Sequence, residues 1–155
     1  MDDKIVKQNI TSLWNKAYVN YDECYAHGLK SEEEKQEWLK FLKKVIGKQA
    51  YNVLDVGAGT GFVSLLLAEL GYTCRGLDLS ENMLSKAKEK AEKAGFHNVT
   101  FAIGDAEDTK EPAEQYDIVI NRHLAWTLPH PEKAIKEWKR VLKPGGRLVI
   151  MEGNW

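Results

Sequence analysis

Cysteine is scarce in this chain of 155 residues: Cys24 and Cys74 are the whole complement. They form no Cys-x-x-Cys pair and no Cys/His cluster at metal-ligand spacing, which argues for reduced thiols and against a disulfide scaffold. No metal site is expected. Long apolar runs are missing as well. The stretch 62–68, with Ser64 inside it, falls far short of the roughly 20 residues that a bilayer-spanning helix requires. The opening MDDKIVKQNI has no apolar core of signal-peptide type, so the chain reads as cytoplasmic, with no membrane partner. An excess of either charge is lacking too, with 22 Lys+Arg against 23 Asp+Glu. Nucleic-acid binders gain much of their affinity by neutralising phosphates and usually carry a basic surplus, so no nucleic-acid partner is expected.

What is present fits one compact domain, with 43% apolar and 29% charged residues and no internal repeat. Ile10, Leu13, Trp14, Ala17, Tyr18 and Tyr21 fall on one face at helical period. A second helix starts after Ser31, where Ser-Glu-Glu-Glu has the form of a capping box closed by Glu34. Its inner stripe is Trp38, Leu39, Leu42, Val45 and Ile46, and Gly47 ends it. From residue 51 onward the pattern alternates. Strands are expected at 51–56, 73–79, 99–103, 116–120 and 147–151, and helices at 60–70, 81–94 and 132–142. The last helix carries Ala134, Ile135, Trp138, Val141 and Leu142 on one stripe, and Lys143-Pro144-Gly145-Gly146 breaks it. Such alternation predicts an α/β fold with a doubly wound parallel sheet.

The chemistry collects at strand ends. The first strand runs through Asp55 into Gly57-Ala58-Gly59-Thr60-Gly61 and then directly into a helix. Glycine permits the tight turn and lets a ligand approach the main chain, while the helix N-terminus offers free N–H groups. Dinucleotide folds use G-x-G-x-x-G; here the order is G-x-G-x-G, led by a carboxylate that serves a pyrophosphate poorly and an ammonium well. The methionyl end of S-adenosylmethionine carries an ammonium, which Asp55 is placed to oppose directly or through water. Asp78 lies 21 residues after Gly57, at the second strand end, where a carboxylate accepts from ribose hydroxyls. Leu79 and Met83 offer an apolar floor for a base. Gly104-Asp105-Ala106-Glu107 follows the third strand, where Asp105 can accept from an adenine amino group and the Ala106 N–H can donate to a ring nitrogen.

With these motifs the sequence resembles the class I S-adenosylmethionine-dependent methyltransferases, in the subgroup acting on small molecules. The residues that carry the resemblance are VLDVGAGTG (53–61), GLDLSENML (76–84), GDAED (104–108), YDIVINRHLAWTL (116–128) and RVLKPGGRLVI (140–150), with a looser match in WNKAYVNYD (14–22). It implies a Rossmann-like sheet in the order 3-2-1-4-5 with helices on both faces. A helical cap at 1–47 would precede a cofactor-binding core at 48–155. It further implies S-adenosyl-L-methionine as cofactor, S-adenosyl-L-homocysteine as product and a small-molecule acceptor. The Gly57–Gly61 turn, including Ala58, would hold the methionyl end, with Asp55. Asp78 would hold the ribose, and Asp105, Ala106 and Glu107 would lie at the adenine. The Asn121–Arg122 backbone would close near the sulfonium, and Tyr21 would border the cofactor. His123, Trp126 and Tyr18 would face the substrate.

His123 is the candidate general base, since imidazole titrates near working pH, and a purely structural histidine is the competing reading. The fourth strand ends in Asn-Arg-His-Leu, not in the Pro-Pro pair of amino-methylating DNA enzymes, and neither cysteine follows it. Relatives continue with two more strands, so the expectation is a fragment of a longer protein or a homodimer joined along Arg147, Leu148, Val149, Ile150 and Met151. A non-catalytic binding module for adenosylmethionine and, more remotely, an NAD-dependent oxidoreductase remain as alternatives.

Overall fold

The computed structural model describes residues 2–24, 27–47 and 51–153. The boundary expected at 47/48 borders residues outside that set, and the last two residues of the chain lie outside it. In chain order the elements are α1 (Asp3–Ala17), α2 (Glu32–Ile46), β1 (Asn52–Val56), α3 (Phe62–Glu69), β2 (Thr73–Asp78), α4 (Glu81–Ala94), β3 (Val99–Ile103), β4 (Tyr116–Arg122), α5 (Pro131–Val141) and β5 (Leu142–Met151). Short 3-10 turns lie at Tyr21–Glu23 and Ala125–Thr127. The five strands form one parallel sheet in the order β3-β2-β1-β4-β5. This is the Rossmann-like α/β architecture the sequence implies.

Side-chain alternation along the strands divides the core into two layers. Val53, Cys74, Phe101, Ile118 and Ile120 pack with α3, α4 and with Leu42 and Ile46 of α2. Leu54, Val56, Leu77 and Val119 pack on the other side with Ala134, Trp138 and Val141 of α5. Alternation also sends Asp55 toward the α3 layer, where it meets Ser64. Local signals set the helix ends: the Ser80 hydroxyl accepts from Met83 N at 3.2 Å, and Gly95 closes α4 in the left-handed conformation. Ser31 accepts from Glu34 N at 3.1 Å, but the Glu34 carboxylate reaches Lys30 N instead of closing back on Ser31.

Several expectations are corrected. Leu13 is 60% exposed, and the α1 line turned toward the carboxyl ends of the strands is Lys7, Ile10 and Trp14. Helix α1 stops before Tyr18, and Tyr21 begins a separate 3-10 turn, so the six-residue stripe is not one helical face. Ile135 is exposed although Ala134, Trp138 and Val141 are buried. Residues 143–146 interrupt the β4–β5 register, in which Tyr116 pairs with Leu142 and Ile118 with Arg147, so four residues bulge opposite Asp117 alone. No described helix is long and apolar enough to cross a membrane.

Candidate active site

A cleft opens over the carboxyl ends of β1, β2 and β3, where the open-sheet rule places ligands. Its first part, about 490 Å³ to its open mouth, is lined by Gly57, Asp78, Leu79, Gly104, Asp105, Ala106 and Glu107, with Lys7, Ile10 and Trp14 of α1 across from them. The second part, about 380 Å³, adds Gly59, Met83, Tyr21, Arg122 and His123, and shares Trp14, Gly57 and Asp78 with the first. A third part, about 910 Å³, is bounded by Trp14, Tyr21, His27, His123 and Trp126. The three parts are contiguous through shared walls and run from the strand tips to an aromatic chamber.

Asp78 is the hinge of the cleft. Its Oδ2 accepts from Gly59 N at 2.9 Å and its Oδ1 from Ser80 N at 2.8 Å. Each oxygen keeps a further lone-pair direction for a ligand hydroxyl. Burial pushes its carboxyl up, and the backbone N–H groups pull the other way. Gly59 has φ +55 and nothing within 4 Å of the place its Cβ would take, so its bare backbone faces open space, as a ligand-cradling turn requires. At Gly57 a Cβ would lie 2.9 Å from Leu124. These features fit an adenosyl nucleoside with a methionyl tail.

Asp55 is placed differently from its expected role. It is 2% exposed and lines none of the three parts of the cleft; its Oδ2 accepts from Ser64 Oγ at 2.6 Å. Burial raises its carboxyl to about 7, and Asp78 adds to the rise. Asn121 is fully buried, with both side-chain amide atoms lacking a hydrogen-bond partner among the described residues, and it lines no part of the cleft. The Arg122 guanidinium stacks 3.8 Å over the Phe62 ring. Tyr18 lines no part of the cleft either, and its carbonyl accepts from Lys86 Nζ at 3.3 Å. His123 stands at φ +57 just after β4 and its N donates to Met151 O at 2.9 Å. Trp126 is 65% exposed at the chamber mouth.

Three residues outside the expected set shape the site. Lys7 Nζ sits 2.6 Å from Asp105 Oδ2 and 2.7 Å from Glu107 Oε2, across the proposed adenine corner. A lysine two turns before Trp14 on the inner line of α1 was the available signal. Asp22 accepts from the Thr60 hydroxyl and from Lys90 Nζ, pinning the 3-10 turn at Tyr21–Glu23 to the glycine turn and to α4. His27 enters the chamber from the cap with no periodic pattern to announce it.

The pattern of the methyltransferase domain family matches residues 54–150. The chain is 34% identical over 116 residues to the ubiquinone biosynthesis O-methyltransferase of Coxiella burnetii, covering 75% of this chain and 49% of that protein. To the demethylmenaquinone methyltransferase of Bacillus subtilis it is 29% identical over 150 residues, covering 94% of this chain and 64% of that one. The crystal structure of the YcgJ protein from Bacillus subtilis superimposes with TM-score 0.69 at 32% identity, over 74% of this chain and 50% of that one. The chain thus spans about half to two thirds of the length of these relatives. With a family match across most of its length, on the strands and turns that build the cleft, the chain belongs to the methyltransferase domain family.

Proposed function

We propose that the chain is the cofactor-binding part of an S-adenosylmethionine-dependent methyltransferase whose acceptor is a flat, hydroxylated small molecule. The observation that carries this reading is the continuous cleft in which Asp78, anchored by Gly59 and Ser80, stands between a nucleoside-sized space and an aromatic chamber. In this reading Asp78 accepts from the ribose hydroxyls, and Asp105, Ala106 and Glu107 meet the adenine. Leu79 and Met83 give its apolar floor. The turn from Gly57 through Ala58 and Gly59 to Gly61 receives the methionyl end, with Asp55 behind it. Tyr21 and Arg122 cover the sulfonium side. When bound, the cofactor supplies an electrophilic methyl group. The chain's own residues hold the acceptor in line, exclude water with the Trp14, Tyr21 and Trp126 rings, and take the proton.

The acceptor class is supported by the chamber walls, which are aromatic rings, and by the names of the two relatives, both of which refer to quinone chemistry. A hydroxyl as the methylated group follows the O-methyltransferase relative. His123 is the base proposed from sequence. A second copy is proposed to pair along β5, which among the described residues is bonded to β4 alone and exposes Leu148 and Ile150. Calorimetry with S-adenosylhomocysteine, S-adenosylmethionine and NAD tests the cofactor. Binding of both adenosyl compounds and silence with NAD is the expected result; NAD binding alone would overturn the reading.

A further inference from the structure

The acceptor chamber is walled almost entirely by rings, and that makes its few polar atoms informative. Trp14 and Trp126 offer only an indole N–H, a donor. Burial pushes the Tyr21 phenol up, so at neutral pH it too keeps its proton. The groups in the wall able to accept a proton from a ligand are therefore two imidazoles, His123 at the end of β4 and His27 on the cap, with ring centroids 5.8 Å apart.

His27 is held for a task. Its ring stacks on Tyr21 at 4.4 Å with 25° between planes, which fixes its orientation. Its Nδ1 is buried and has no hydrogen-bond partner among the described residues. Among the described residues part of this ring's hydrogen-bonding capacity is thus unanswered, a cost that a structural histidine normally avoids. The charged groups around it are Arg122 from β4, Lys30 beyond it in the chain and Asp22 from the 3-10 turn. Burial, then Arg122 and Lys30, lower the imidazole below its ordinary range, against the opposite pull of Asp22. A lowered value keeps the ring neutral at pH 7, the state a general base needs.

We infer that His27 is a catalytic residue: it contacts the acceptor hydroxyl in the aromatic chamber and accepts its proton during methyl transfer. The inference rests on the methyltransferase reading above. The acceptor oxygen's lone pair forms the new O–C bond, the S–C electron pair stays on sulfur, and the O–H proton passes to the His27 imidazole and then to solvent. Because His27 belongs to the cap and His123 to the sheet, the proton acceptor is in place only while the cap is docked.

The test uses the full chain with S-adenosylhomocysteine and catechol as the acceptor probe, observed by ¹⁵N-histidine NMR and assigned with His27→Gln, His123→Gln and the distant His97→Gln. Catechol is expected to shift the His27 imidazole signals and leave those of His97 in place. With S-adenosylmethionine and catechol, His27→Gln should lower kcat on the order of 100-fold with little change in KM, and remove the acid limb of the kcat/KM profile. That limb should have its midpoint below about 6.5, and added imidazole should partly restore the variant. Retention of the acid limb in His27→Gln with its loss in His123→Gln would overturn the inference. So would catechol shifts confined to His123, or none at all in a protein that binds S-adenosylhomocysteine. If the wild-type protein fails to bind S-adenosylhomocysteine, the methyltransferase reading itself is what fails.

Discussion

Asp78 Oδ2 accepts a hydrogen bond from Gly59 N at 2.9 Å, so the carboxylate at the tip of β2 holds the glycine turn at the tip of β1. One side chain therefore fixes the loop, and in the proposed function its remaining lone pairs are what a ribose would meet. Asp78→Ala should weaken S-adenosylhomocysteine binding by roughly 100-fold, since two hydrogen bonds to a charged group at about 1.5 kcal/mol each would be lost. Calorimetry reads this directly. Affinity within threefold of wild type would remove Asp78 from the ribose site.

Asp55 gives a pH signature without any ligand. Its folded value of about 7 lies above the ordinary carboxyl value of 3.8. For a raised carboxyl, the stability is fully present below the unfolded value and is lost as pH climbs through the folded value. Asp55→Asn, in which the amide oxygen can still accept from Ser64, removes that loss. The variant should match wild type near pH 4 and be the more stable protein at pH 8, with an upper bound of about 4 kcal/mol for a shift of about three pH units. Urea denaturation at both pH values measures the difference. An equal effect at the two would show that burial does not perturb this carboxyl.

Helix α1 is held by polar contacts. Helix α1 has no fully buried residue, and Leu13 and Ile5 on it are well exposed. What ties it down is Lys7 on Asp105 and Glu107, with Asn15 accepting from Ser80 Oγ at 2.6 Å. Glu107 is 2% exposed, so Lys7→Ala strands a buried carboxylate and should cost about 2 kcal/mol, less than the 3–5 of a fully enclosed pair because Lys7 and Asp105 are partly wet. Adding Glu107→Gln should recover much of that loss, since Gln can still accept from His130 N, as Glu107 Oε1 does at 2.8 Å. A double-mutant cycle on thermal unfolding gives the coupling. Strict additivity would mean that the pair contributes nothing.

These residues also mark where the sequence was legible. Helix α4 was foreseen from end to end because both of its limits are local, a Ser80 cap and a left-handed Gly95. Strand β3 was equally plain. The glycine turn and Asp78 were legible because spacing along a βαβ unit translates directly into neighbouring strand tips. Asp22 and His27 act across long sequence separations, for which a single sequence carries no sign; Lys7 offers only its helical spacing from Trp14, which does not name its partners Asp105 and Glu107. The position of Asp55 on β1 is legible but its side-chain environment is not: alternation one residue before the strand end turns it toward Ser64. Register and face, more than residue identity, decide that role.

Gly59 allows the ligand's approach to be separated from backbone strain. Its φ is +55 and the space around its missing Cβ is open. Gly95, at the end of α4, has φ +71 and equally open surroundings but lines no part of the cleft. Alanine at either position pays the same left-handed penalty, about 1 kcal/mol. Gly59→Ala and Gly95→Ala should therefore show similar falls in unfolding midpoint. Only the first places a methyl group where a bound methionyl tail would run. Its affinity for S-adenosylhomocysteine should fall on the order of tenfold or more beyond any effect of Gly95→Ala. Equal affinities in the two variants would show that the turn is glycine-rich for its conformation alone and that the ligand does not touch it.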